Sequence, residues 1–337
     1  MPPLYLVKQN SKLRLQNRRI TVTYQNNGIE EILVSVPIGQ VSEVVIFGNI
    51  GITTPTISYC LANQIPVIFL SEDGIYKGQL VGEISPHVPL RRKQYELTGQ
   101  SDYCLKLSKS IITAKITHQR NFLLRHKDES HDLEKLLPVL IRLKTSIQEI
   151  ERKTTLDSLR GLEGSSSAAY FGALRTLFSP QWKFEKRIRR PPTDPVNVLL
   201  SFGYTLLSRM TAAAVQAVGL DPFAGFYHTY AYNRPTLALD LMEEFRPVID
   251  GVVLSTCQNN ILKPDDFVPG DNDLPIRLSD SGMRNYITQL ENRFNRRFTH
   301  PIRNEQLTLR QCIIEQARQL VICINENKTD FIGMGFR

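Results

Sequence analysis

The periodicity of this chain changes once, at Ser85-Pro86-His87-Val88-Pro89. Ahead of that point apolar residues come in short branched or alternating runs. Beyond it they recur at spacings of three and four over long stretches. Two prolines in four residues, with no periodicity of their own, mark a break between two kinds of structure. The expected architecture is therefore α+β: a small N-terminal β-sandwich-like domain over 1–85, a linker at 86–90, and a larger all-α C-terminal domain over 91–337. A chain of 337 residues is long enough to bury both cores.

Within the first region, Leu4 to Val7, Lys12 to Gln16, Arg19 to Tyr24, Glu31 to Val36 and Val41 to Phe47 read as strands, with a turn at Asn26-Asn27-Gly28. Thr53-Thr54-Pro55 opens a helix that should run to Gln64, and strands follow at Ile65 to Leu70 and Gly74 to Leu80. The second region reads as helices over Leu97 to Arg125, Asp132 to Leu159, Leu162 to Phe178, Pro195 to Val218, Pro235 to Asn259 with a break near Pro247, Ser279 to Phe298, and Thr308 to Asn325. Asp194 is the expected cap of the Pro195 helix, whose first position suits proline.

Charge and cysteine usage narrow the class of partner. The formal net charge is +8, which favours polyanions without separating nucleic acid from an ordinary basic enzyme. The five cysteines have no CxxC spacing, so neither a zinc ribbon nor a redox motif is indicated. A scattered, odd set with no cleavable leader suits reduced thiols in the cytosol. No apolar run reaches the length a membrane span needs, so a cytoplasmic chain is expected.

Three stretches carry candidate chemistry. The first is His228-Thr-Tyr-Ala-Tyr-Asn-Arg-Pro-Thr-Leu-Ala-Leu-Asp240-Leu-Met-Glu243-Glu244-Phe-Arg246. Asp240, Glu243 and Glu244 lie three and four apart on one helical segment, so their charges repel unless a cation intervenes. Arg234 and Arg246 are candidate cations; a hard divalent ion such as Mg2+ or Mn2+ is the other, because oxygen donors with at most one imidazole suit it. The second is Leu162-Glu163-Gly164-Ser-Ser-Ser-Ala-Ala, where Glu163 is either a first-turn glutamate favoured by the helix dipole or a carboxylate in a tight pocket lined by small residues. The third is a basic loop with Lys183, Lys186, Arg187, Arg189 and Arg190, interleaved with Trp182 and Phe184. It is either a solvated loop or a phosphate-contacting one whose aromatic side chains can stack on a base. Asn197 belongs either to the cap of the next helix or to the active site.

Taken in order, Leu162-Glu163-Gly164, Asp194-Pro195-Val196-Asn197 leading into Leu-Leu-Ser-Phe-Gly-Tyr, Gly225-Phe226-Tyr227-His228, and Leu-Ala-Leu-Asp240-Leu-Met-Glu243-Glu244-Phe-Arg-Pro resemble the CRISPR-associated endonuclease of family one, the integrase that captures new spacers. The resemblance covers nearly the whole chain; each motif alone is weak, and four in order are specific. It implies an N-terminal β domain that forms a homodimer, a helical catalytic domain, and assembly with CRISPR-associated protein two. It also implies a divalent metal, Mg2+ or Mn2+, on Glu163, His228 and Glu243, with Asp240 at an additional acid one turn earlier that orients a ligand or bound water. Many relatives carry aspartate where Glu243 stands, so Asp240 and Glu243 both stay open as the closer ligand. Glu244 matches no required position and is expected to be solvated or paired with a basic neighbour.

The implied reaction is attack by the 3′-hydroxyl of a captured duplex on a phosphodiester at the repeat boundary. The partners are thus double-stranded DNA, as protospacer and as CRISPR repeat, with no membrane. Lys183, Lys186, Arg187, Arg189 and Arg190 would position the strand, and Arg293, Arg296 and Arg297 would form a second basic group along it. Two alternatives remain: a non-catalytic nucleic-acid-binding scaffold that uses the acids only in salt bridges, and a metal-dependent hydrolase of another substrate.

Overall fold

Asn27 and Gly28 both take positive φ, +50° and +84°, the geometry a two-residue hairpin loop requires. They join β3 (Arg19–Asn26) to β4 (Ile29–Pro37), in a computed structural model that describes residues 2–82, 87–189, 191–270 and 275–335. Around this hairpin the N-terminal region builds β1 (Leu4–Leu6), β2 (Ser11–Gln16), β5 (Val44–Phe47), β6 (Gly51–Ile52), α1 (Thr54–Ala62), β7 (Val67–Leu70) and β8 (Tyr76–Leu80). One sheet has the order β4-β3-β2-β6, antiparallel except where β2 meets β6. The other is β1-β5-β7-β8, parallel until β7 meets β8. Leu6, Leu13, Ile20, Val22, Val44, Ile46 and Val67, drawn from both sheets, share one core with Cys60 of α1. The expected β-sandwich-like front and helical remainder are therefore both present. The two-residue strand β6 carries too little pattern to be read from sequence.

The helical region comprises α2 (Val88–Thr98), α3 (Ser101–Arg125), α4 (Leu133–Ile150), α5 (Leu156–Leu174), α6 (Pro195–Ala217), α7 (Thr236–Met242), α8 (Arg246–Gln258), α9 (Asp280–Asn295) and α10 (Leu309–Glu326). Two short ribbons are added, β9 (Phe267–Pro269) with β10 (Ile276–Leu278), and β11 (Arg297–Thr299) with β12 (Gln306–Thr308). Packing divides the chain into a unit of Met1–Ile84 with Leu278–Arg284 and a unit of Ser85–Arg277 with Asn285–Arg337.

Several elements differ from the sequence expectation. The helix expected to start at Leu97 is two, because the chain breaks at Gly99 and Gln100 between α2 and α3, and α2 begins at Val88, inside the stretch read as linker. Thr155 caps α5 with its hydroxyl, so Glu163 lies in the middle of a 19-residue helix and not in its first turn; the dipole account of Glu163 falls. The acid-rich helix stops at Met242, and Glu243–Phe245 form a 3-10 turn before Pro247 enters the first turn of α8. The helix α6 is, contrary to expectation, long and apolar enough by composition to cross a bilayer. Its most apolar window is 67% buried within the protein, as a core helix requires.

Candidate active site

The loop before α7 is shaped by one carboxylate. Asp240 is fully buried, and its Oδ2 accepts the backbone N–H groups of Phe226 (2.7 Å) and Tyr227 (2.9 Å). Its Oδ1 accepts the backbone N–H of His228 at 3.0 Å and the His228 ring Nδ1 at 2.7 Å. Gly225 is needed here: a Cβ on it would lie 2.8 Å from Asp240 Oδ2 and 2.6 Å from the Thr236 carbonyl carbon. The bond to Asp240 makes Nδ1 the donor, which leaves Nε2 of a neutral ring as a free lone pair.

That Nε2 lies 3.7 Å from Oε1 of Glu243. Glu243 is buried at the 3-10 turn, and the same oxygen accepts from Arg246 Nε at 3.0 Å. Its other oxygen, Oε2, forms an ion pair with Lys115 Nζ at 2.5 Å. Burial alone would push the Glu243 carboxyl up, but the charges of Arg246 and Lys115 hold it well below the usual carboxylate range. Lys115, on α3 and only 5% exposed, also pairs with Glu163 Oε1, which accepts from Ser167 too. The hydroxyl of Tyr227 approaches Glu163 Oε2 at 3.5 Å.

The structure thus brings Glu163, Glu243 and His228 to one place and gives Asp240 a different task. Both Asp240 oxygens are committed to the His228 loop, whereas Glu243 faces Glu163 across a cation. Among the described residues no three His, Cys, Asp or Glu side chains already converge as a ready-made metal cage. The donor chemistry nevertheless fits a hard divalent ion: two carboxylates that share one cation position, beside an imidazole whose Nδ1 is taken up by Asp240.

Lys115 had a legible signal that the motif reading passed over. It falls four residues after Ile111 and three after Ile112, on the buried stripe of α3. Of the two arginines named for the acids, Arg246 pairs with Glu243, while Arg234 is exposed. Glu244 is neither solvated nor paired with a base. It is buried, and it accepts Gln316 Nε2 at 2.8 Å and the Met334 backbone N–H at 2.6 Å. With only neutral donors around it, burial pushes its carboxyl up to about 7. Of the small residues after Glu163, Gly164 faces no close neighbour, since a Cβ on it would meet open space, whereas Ser166 is buried.

The basic loop divides into inward and outward groups. Arg187 donates to Asn197 Oδ1 at 2.8 Å and Ser201 Oγ at 3.0 Å, with its guanidinium over the Tyr204 ring. Asn197 in turn accepts Ile188 N–H and donates to the Lys186 carbonyl and to Asp194, so it fastens this loop to the capped start of α6. Trp182 and Phe184 are core residues against Phe267 and Phe178, which removes them as stacking platforms. Lys183, Lys186 and Arg189 stay exposed, and Arg190 lies outside the described residues. In the second basic group Arg296 and Arg297 are exposed, while Arg293 is half-buried over the Phe298 ring, and burial lowers its pKa to about 10. Tyr204 links the two regions: Arg187 covers its ring at 5.5 Å, Arg246 at 4.8 Å, and its hydroxyl donates to buried Asp250.

Residues 4–292 match the family described as CRISPR associated protein Cas1. A Cas4/Cas1 exonuclease–endonuclease fusion of Geobacter sulfurreducens is 35% identical over 95% of this chain, which spans 56% of the fusion's length. A CRISPR-associated endonuclease Cas1 of Thermus thermophilus is 34% identical over 94% of this chain and 90% of its own. In fold, the chain matches part of a Cas6-RT-Cas1–Cas2 complex with a TM-score of 0.85 and 27% identity, over 100% of this chain and 36% of that one.

Proposed function

Because this chain belongs to the Cas1 family of CRISPR-associated proteins, we propose that it is a metal-dependent DNA endonuclease and integrase that inserts short foreign duplexes into a CRISPR array. The observation that carries the reading is the convergence of Glu163 and Glu243 on one buried cation position, beside an imidazole whose far nitrogen is fixed by Asp240. Glu163, Glu243 and His228, through Nε2, would hold Mg2+ or Mn2+. When bound, such an ion lowers the pKa of an attacking 3′-hydroxyl and offsets charge on the pentavalent phosphorus.

The chain's own groups set the geometry. Asp240 holds His228 in one tautomer and rotamer, and Arg246 holds Glu243 Oε1 so that Oε2 turns to the site. Lys183, Lys186, Arg189, Arg296 and Arg297 take phosphates of double-stranded DNA, both the protospacer and the repeat, and Arg190 completes the first group. Arg187 and Arg293 support those surfaces from within. The Cas2 named in the matched complex supports the same small protein as a partner here. Homodimerisation through the β unit is supported by β4, a sheet edge that exposes Ile29 (69%) and Ile32 (66%) to solvent.

A non-catalytic DNA-binding scaffold is favoured by one observation, that Lys115 and Arg246 already neutralise Glu243. Strand transfer separates the readings. A short duplex is incubated with supercoiled plasmid carrying a repeat array, with or without Cas2, in Mg2+, Mn2+ or chelator. The integrase reading expects joined products that need a free 3′-hydroxyl and the metal. Duplex binding without joining under every condition would support the scaffold.

A further inference from the structure

Lys115 takes no part in the reaction outlined above, yet its ammonium sits between the two carboxylates assigned to the metal. A buried ammonium is costly unless paired, and this one is paired with Glu163 and Glu243 together. The pairing serves the carboxylates equally, because a buried acid and a partly buried one facing one another repel without a cation. Lys115 Nζ lies against one oxygen of each acid, so an ion held by the same two carboxylates would compete with it for that place. The ammonium and the ion therefore exclude one another at this point. The lysine stem is unbranched and rotatable, so Nζ can withdraw without displacing α3. Arg246, which holds the opposite oxygen of Glu243, need not move.

We propose that Lys115 is a resident counter-ion: it holds Glu163 and Glu243 together in the metal-free protein and gives way to the incoming divalent ion, thereby weakening metal affinity. It is a positioning residue, acting through the two carboxylates. The inference rests on the metal reading above and adds to it a competition built into the chain. In its simplest form the site is available to metal only in the fraction of molecules whose ammonium has swung away.

The test uses the full-length chain as wild type, Lys115→Met, Lys115→Gln and Glu163→Gln. Mn2+ binding is measured by calorimetry and by the electron paramagnetic resonance signal of free Mn2+, and thermal melting is followed in chelator and in saturating Mn2+. Lys115→Met removes the charge at similar length. Lys115→Gln keeps amide donors for both carboxylates and guards against simple unfolding. Both variants should bind Mn2+ at least about tenfold more tightly than wild type. Both should melt below wild type in chelator, with the gap closing in Mn2+. Equal or weaker Mn2+ affinity in a folded Lys115 variant, with wild-type binding intact and lost in Glu163→Gln, would overturn this inference alone. Wild-type protein that binds no Mn2+ sensitive to Glu163→Gln would overturn the metal reading and this inference with it.

Discussion

At the scale of single residues, Asp240 shows how one buried carboxylate can shape a loop. It receives three backbone N–H groups and one imidazole N–H, so it uses its charge to fold the loop that presents His228. Asp240→Asn puts an amide N–H2 against those donors. The variant should lose about ten- to a hundredfold in Mn2+ affinity and in strand transfer, read by titration and by joined product. His118 offers a separate test of burial. Its ring, on the buried face of α3, meets the Glu244 carbonyl, and burial, partly offset by that hydrogen bond, lowers its pKa to about 4. The unfolded chain takes up the proton near pH 6.5 and the folded chain does not. This contribution to stability is therefore full above pH 6.5 and is lost as pH falls towards 4, about 2 kcal/mol by pH 5. Urea unfolding of wild type and His118→Gln at pH 7.5 and pH 5 should show the acid-side loss shrinking by that amount in the variant. The sequence exposed His228, Glu163 and the acids through residue type and spacing. It did not separate Asp240 from Glu243, because that depends on the helix ending at Met242, where a 3-10 turn swings Glu243 towards Lys115.

At the scale of elements, α6 connects the basic loop to the buried acids. Asp194 caps it, Asn197 fastens the basic loop to its first turn, and Tyr204 lies between Arg187 and Arg246. A run of lysines and arginines looks uniform in sequence, but the fold makes Arg187 structural and leaves Arg189 in solvent. Charge pattern could not reveal that division, since it is set by acceptors on α6 ten and fourteen residues further along the chain. Arg189→Ala should lower the slope of log affinity against log salt for duplex binding by about 0.9 while leaving thermal stability unchanged. Arg187→Ala should instead cost about 1–3 kcal/mol of stability by leaving buried acceptors unpaired. Fluorescence anisotropy across a salt series, paired with chemical unfolding, distinguishes the two. The same view explains Trp182 and Phe184, whose interleaving with basic residues suggested stacking but whose rings fill the core.

At the scale of the whole molecule, two patterns of periodicity produced two kinds of structure, mostly strands ahead of α2 and mostly helices from it onward. Short elements were not legible in the sequence: β6 and the ribbons β9–β10 and β11–β12 have two or three residues per strand, below the length at which alternation is distinguishable. The exposed apolar edge of β4 was visible only once the strands were ordered, because the same residues would be core in a central strand. Ile32→Asp on that edge should convert a dimer to a monomer in sedimentation velocity, with the circular dichroism spectrum unchanged. The central claim is that Glu163, Glu243 and His228 form a metal-dependent strand-transfer centre. Its most direct measurement is the yield of joined product from a 3′-hydroxyl duplex and a repeat-bearing plasmid in Mn2+, for wild type and Glu163→Gln side by side. The account predicts joining by wild type, none with chelator or a 3′-blocked duplex, and a loss of at least about a hundredfold in Glu163→Gln with duplex binding retained. Joining by Glu163→Gln at the wild-type rate would contradict it.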